Sequence, residues 1–348
     1  MLLPDFFDWN MNMKKSVFAT ALLGTFGLAS AQSTMTIYGI LDAGISADNS
    51  SAAGSVAKLE SGMESGSRFG FKGTEDLGNG LKALFVLEQG IALDTGTLTS
   101  GGHLFGRQAL VGLGGTFGTV TMGRQYTPIF SAYGSIDPFG NNSAGDINTL
   151  FGKNSNFISK DYRMDNSVIY TAPVNLGGFN AAVAYGFGEQ AGDSAAQSQV
   201  GLSLGYASGP IKAVYAYHAE NNANSIVDTD TYKSHFLGAT YDFNRVKVHA
   251  AFDQTTQGAD HKTQSYLLGA TVPLGIHSIF ADVTYRDNKL LNDANASQIA
   301  IGYNHTLSKR TNLYTILGCI INDDNSKVNT QVLGKTVNKV QVGMRHVF

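Results

Sequence analysis

Histidine and cysteine are the first residues to ask for chemistry, and here they form no constellation. The chain holds eight histidines and one cysteine. No two histidines stand in a His-x3-His spacing and Cys319 has no second thiol, so neither a zinc site nor an internal disulfide is implied. The run Gly112-Leu113-Gly114-Gly115-Thr116-Phe117-Gly118 approaches a dinucleotide fingerprint. Phe117, however, takes the last glycine's place and a strand pattern follows instead of a helix, so the run reads as a turn. What remains is fixed charge set among alternating apolar residues. Arg68 and Lys72 oppose Phe69 and Phe71, Lys82 and Glu88 oppose Leu81, Ala83, Phe85 and Leu87, and Arg345 opposes Val342 and Met344. Arg163 shares a parity with Asp165 and Ser167, while Val168 and Tyr170 take the other. Arg107 falls on the parity of Ala109 and Val111 and Arg124 on that of Val120 and Met122, which leaves the direction of both open. Charges held in a narrow, poorly screened passage bias ion entry without any reaction, so no enzyme is implied.

The elements that must hold such charges are strands. Period-two alternation recurs along almost the whole chain, from Thr34 to Phe348, and predicts roughly sixteen strands. Short connections such as 76–80, 208–210 and 308–310 alternate with longer polar ones, the pattern of an up-and-down barrel in an outer membrane. A soluble β-sandwich would show the same alternation, but the strand number, the polar inward positions and the aromatic end of the chain weigh against it. No apolar run of 18 residues follows the leader, so ordinary transmembrane helices are excluded. Spanning strands must then close into a ring, because lipid offers backbone groups no partner. The longest connection runs from about 126 to 165, a length that compact domains seldom leave as idle coil, and it carries Asp137 and Asp146.

Composition agrees with this class. Among 348 residues, 43% are hydrophobic and 15% charged, with 41 Gly and 6 Pro, which fits extended segments joined by tight turns. A formal charge of -3 and a pI near 6.2 give no basic excess that would track nucleic acid. At the start, Lys14 and Lys15 precede an apolar run from Val17 to Leu28, and Ala29-Ser30-Ala31 offers small residues for cleavage before Gln32. A membrane anchor is the competing reading, yet about a dozen apolar residues fall short of ~30 Å of hydrocarbon. Residues 1–31 therefore read as a leader with a secretory signal, with translation expected to begin at Met11 or Met13, and 32–348 as the barrel.

Particular stretches carry a resemblance. Thr36-Ile37-Tyr38-Gly39-Ile40-Leu41-Asp42-Ala43-Gly44, Ser67-Arg68-Phe69-Gly70-Phe71-Lys72-Gly73-Thr74-Glu75-Asp76-Leu77-Gly78 and Arg107-Gln108-Ala109-Leu110-Val111-Gly112-Leu113 are three of them. Phe117-Gly118-Thr119-Val120, Leu307-Ser308-Lys309-Arg310-Thr311 and the ending Gln341-Val342-Gly343-Met344-Arg345-His346-Val347-Phe348 complete the set in order. With these the chain resembles the trimeric general porins of Gram-negative, especially β-proteobacterial, outer membranes. The resemblance implies a 16-stranded barrel, three per assembly, with the third outer loop folded into each water-filled pore. It implies passive passage of ions and small hydrophilic solutes and no cofactor. Expected partners are outer-membrane lipid, lipopolysaccharide and the barrel-assembly machinery, with Phe348 similar to the assembly signal. Arg68, Arg107 and Arg163 look like the basic cluster of the constriction, which gives a modest preference for anions. Asp137 and Asp146 are the candidates for its acidic, loop-borne side, and Lys72, Lys82, Glu88 and Arg345 are secondary lumen residues. A substrate-selective channel of the same build is the alternative, and beyond it a barrel adhesin or hydrolase.

Overall fold

A computed structural model describes residues 34–152, 163–174, 176–221 and 231–348; the leader expected over 1–31 lies outside the described residues. The strands are β1 (Thr34–Ser51), β2 (Gly54–Ser61), β3 (Arg68–Gly78), β4 (Leu81–Gly90), β5 (Gln108–Gly115), β6 (Gly118–Tyr126), β7 (Arg163–Thr171), β8 (Phe179–Gly186) and β9 (Gln199–Ser208). They continue as β10 (Ile211–Asn221), β11 (Thr231–Asp242), β12 (Lys247–Gln257), β13 (His261–Leu274), β14 (His277–Asn288), β15 (Ala296–Ser308), β16 (Thr311–Asn322) and β17 (Val337–Val347).

From β3 onward each strand pairs antiparallel with the next. The ring closes where Ile40–Asp48 of β1 lies opposite Lys339–Val347 of β17. Beyond the last strand residue, the Gly39 and Phe348 backbones exchange two hydrogen bonds of 3.1 Å. Strand β2 pairs with the second half of β1 and β3 with the first half, so β2 and β3 form one stave interrupted by residues 62–67. Seventeen strands among the described residues therefore make sixteen staves. Sixteen is the number that alternation predicts; β2 is an extra strand within a stretch that the sequence reads as a connection.

Alternation explains which way each stave faces. Ile37, Ile45, Leu237, Leu268 and Val342 are each more than half exposed on the outer surface, where lipid replaces water around them. Tyr170, Tyr185 and Tyr241 stand exposed near strand ends, as interfacial aromatic residues do. Tight turns close one rim. At Asp76–Leu81, Asn79 and Gly80 both adopt positive φ (52° and 77°), a conformation that asparagine and glycine tolerate best.

The third outer connection, L3, turns inward. After β6, Thr127 accepts a hydrogen bond from the Phe130 amide (3.2 Å) and so caps α1 (Pro128–Ile136), with a proline where no N–H is needed. One side of α1, through Ile129, Ala132, Tyr133 and Ile136, packs on the inner face of the wall. Tyr133 meets Phe236 edge to face at 4.7 Å and its hydroxyl donates to Asp253 (3.0 Å). Further along, Ser265 donates to the Leu150 carbonyl, Gln298 to the Asp146 carbonyl, and the Ala144 amide to Gln341. L3 thus follows the wall from β8 to β17 instead of leaving the barrel. Within the connection expected over about 126–165, residues 153–162 lie outside the described residues.

Candidate functional site

The first part of the site is built where β4, β5, β6 and β7 meet the base of L3. Glu88, on the inner face of β4, is 4% exposed and is approached from four sides. Tyr38 donates to it at 3.0 Å, the Arg107 Nε at 2.9 Å and the Tyr126 hydroxyl at 3.3 Å, while an Arg68 Nη lies at 4.0 Å. Arg107 donates a second bond to the Tyr126 hydroxyl (2.6 Å), and Arg163 reaches the same oxygen at 3.4 Å with its guanidinium 4.7 Å from the centre of the Tyr126 ring. The Arg163 Nε donates to the Arg107 carbonyl (2.8 Å). One tyrosine face and one carboxylate therefore gather three guanidinium groups, which cation–π attraction and charge-assisted hydrogen bonds make tolerable.

Sequence parity and structure part company at instructive places. Arg107 precedes the first residue of β5, so the outward parity of Val111 does not bind it. An irregularity between Gly123 and Gln125 shifts the register against β7, so the parity linking Arg163 to Ser167 does not run through to the strand's start. Arg163 reaches the cluster because it sits at the junction of L3 and β7. At the same irregularity Arg124 turns to Asp165 (2.6 Å) and to the Gly106 carbonyl (2.7 Å), away from Glu88. Tyr38 and Tyr126 are the partners that alternation missed. Aromatic hydroxyls on a strand and at a strand end, facing a lone acid, were the available signal.

A second inward segment comes from the interrupted stave. In residues 62–67 the chain folds toward the axis and is held by Asp42 of β1. Its carboxylate accepts from the Glu64 amide (2.8 Å), the Ser65 amide (2.6 Å) and the Tyr314 hydroxyl (2.6 Å). The turn in turn cradles Arg68, whose guanidinium donates to the Gly66 carbonyl (2.9 Å) and the Ser65 hydroxyl (2.8 Å). At Gly66 a Cβ would stand 3.0 Å from Arg107 Nη1, a tight contact that the arginine would have to shift by a few tenths of an ångström to relieve.

The other candidates lie apart. Lys72 sits 5.0 Å from the Tyr38 ring centre, toward the short-turn rim, and Lys82 is exposed at that rim. Arg345 faces inward from β17 opposite Asp42 and Asn312. Asp137 accepts from the amides of Phe139 (2.9 Å), Asn141 (2.8 Å) and Ile147 (3.2 Å), and Asp146 from the Asn148 amide (2.8 Å), so both serve the shape of L3. Burial, with Asp146 nearby, pushes the Asp137 carboxyl well above its ordinary range. The chain also holds a Gly-x-Ser-x-Gly spacing, Gly201-Leu202-Ser203-Leu204-Gly205, but β9 runs straight through it without the strand-to-helix turn that exposes a nucleophile. Among the described residues no group of three metal-binding side chains converges.

A closed sixteen-stave barrel with an apolar belt, an inward third loop and a charged inner wall is a membrane channel. Comparison with known proteins gives the family. A model described as Gram-negative porin matches residues 19–325. Outer membrane porin protein 32 of Delftia acidovorans is 37% identical over 97% of this chain and 100% of its own length, and an outer membrane porin protein of Bordetella pertussis is 34% identical over 87% and 93%. A solved structure titled as an anion-selective porin from Comamonas acidovorans superposes with a TM-score of 0.82 at 34% identity, over 91% of this chain and all of that one. The chain belongs to the Gram-negative porins and is an outer-membrane channel.

Proposed function

We propose that this porin is a general diffusion channel whose constriction favours small anions modestly. The carrying observation is that Arg68 and Arg107 meet the single carboxylate of Glu88 while Arg163 joins them through the ring and hydroxyl of Tyr126, so three guanidinium groups gather in a passage narrowed by L3. In such a confined space screening is weak, so location outweighs the overall charge of -3. The solved relative whose title calls it anion-selective supports the same sign. Lys72, Lys82 and Arg345 extend positive charge along the lumen. The reading is that of a channel for ions and small hydrophilic solutes and not of an enzyme.

The assembly we infer is a homotrimer, seated in lipid and lipopolysaccharide, with contacts near Ile37 to Ile45 and Val340 to Phe348. The exposed apolar side chains of Ile37, Ile45, Val342 and Met344 on the seam support that surface. The leader would direct export and be cleaved before Gln32, and Phe348 would present the C-terminal aromatic residue that the barrel-assembly machinery recognises.

Zero-current potential across a planar bilayer, in a tenfold gradient of monovalent salt, tests the proposal. Wild type should favour the anion at low salt and less so toward 1 M. Arg68→Glu and Arg163→Glu should each move the potential toward cations, with assemblies that survive unheated SDS. An unchanged potential in both, with normal assemblies, would place these arginines outside the constriction.

A further inference from the structure

The acids that could oppose three arginines are not equally available to a passing ion. Asp42 is fully buried and committed to the Glu64 and Ser65 amides and the Tyr314 hydroxyl. Glu88 is buried and shared among Tyr38, Arg107 and Tyr126. Asp137 is spent on three L3 amides, and Asp146 caps the short 3-10 turn at Ile147–Thr149. Glu64 differs from all of these. It stands on the inward turn, half-buried, with one carboxylate oxygen accepting from the Asn312 side chain at 2.8 Å. Asn312 in turn donates to Asn304 (3.1 Å), which fixes that amide and with it the direction of the carboxylate. Arg345 is the register partner of Asn312 on the neighbouring stave, so a cation faces the same part of the lumen. The turn that carries Glu64 is also the cradle of Arg68.

We propose that Glu64, carried by the inward turn of the interrupted stave and not by L3, is the acidic determinant that tempers this pore's preference for small anions. The inference rests on the anion reading above and adds the group that limits it. A carboxylate in the same confined passage as the arginines lowers the local potential that draws anions in, and its field is screened over ~8 Å at physiological salt. Because one rigid turn presents both Arg68 and Glu64, their relative placement is fixed by Asp42 and Tyr314 and does not depend on how L3 sits.

The test is Glu64→Gln in the full chain, read as zero-current potential in a bilayer. Glutamine keeps an oxygen for Asn312, so the turn should persist. The anion-over-cation permeability ratio should rise about 1.5- to 2-fold at 0.1 M salt and the gain should shrink toward 1 M. Asp146→Asn should move the ratio less than Glu64→Gln; a larger shift would overturn the proposal. If Glu64→Gln leaves the ratio unchanged while Arg68→Glu shifts it, Glu64 is excluded and the arginine reading stands. If neither shifts it, both fall. Should Glu64→Gln fail to assemble, Glu64→Cys in a Cys319→Ser background decides the matter by comparison within one variant. A sulfonate-bearing thiol reagent should return the ratio toward wild type and a trimethylammonium-bearing one should raise it, and no response to either would overturn the assignment.

Discussion

The inner surface of this barrel is two walls that solve opposite problems. Under L3, from β10 to β16, the strands bury apolar side chains inside as well as presenting them outside. Phe236 and Leu237, Leu267 and Leu268, and Ile316 and Leu317 are neighbours in sequence, the first of each pair buried against L3 or its surroundings and the second facing outward. On the neighbouring staves, β1, β3 and β4 bring ionisable groups inward, and β17 carries both Arg345 and the Gln341 that receives the Ala144 amide of L3; polar groups there are matched to one another or left to water. The difference teaches that the loop docks where large apolar side chains line the lumen, alongside the buried Asp253, Asp282 and Arg286, and that ions pass the wall it leaves uncovered. Position in the ring decides which wall a strand belongs to, although all staves share one backbone pattern.

Breaking the docked wall should have the largest effect. Asp137→Ala leaves three L3 amides without their acceptor, and each buried unpaired amide costs about 1–3 kcal/mol. L3 should loosen, seen as a larger, noisier single-channel conductance and as assemblies that dissociate at lower temperature. The comparison would fail if Asp137→Ala changed selectivity strongly and left conductance steady. A smaller effect should come from pH. Since burial lifts the Asp137 carboxyl above its ordinary 3.8, the seated loop retains a proton that the unfolded chain gives up. That stabilisation is complete below the ordinary value and is lost as pH rises through the lifted one. The thermal midpoint of the wild type should therefore fall across that window, and Asp137→Asn should flatten this part of the profile. On the charged wall, Tyr126→Phe removes the hydroxyl shared by Arg107, Arg163 and Glu88, a change of about 1 kcal/mol. It should weaken anion preference by less than two-fold without altering L3, as measured by zero-current potential and conductance together.

Alternation made sixteen of the seventeen strands legible, because one outward face was apolar enough to see. Strand β2 was not, since only Leu59 is a large apolar residue on its outward face while Lys58 and Glu60 turn inward to an ion-pair chain with Asp48 and Lys339. The inward course of L3 had a sequence signal too, in the paired apolar residues such as Phe236 and Leu237, where a strand is apolar on both faces and so must be covered on both. For the site, parity placed Arg68, but it lost its meaning at strand ends and bulges, which is where Arg107, Arg124 and Arg163 lie. The roles of Tyr38, Tyr126 and Asp42 depend on which staves become neighbours, and residues 42 and 314 meet only because the ring closes.

That closure has a consequence for how the molecule is made. The seam joins residues 40–48 to residues 339–347, so the first stave waits for the last before its backbone is satisfied on both sides. Contacts of such sequence separation form late and slowly. A chain cut short before residue 339 would keep two open edges, one at β1 and one at β16, in a solvent that cannot hydrogen-bond them. The seam therefore acts as a test of completeness, in which a finished polypeptide can hide its edges and an unfinished one stays open to capture by another strand or by a protease.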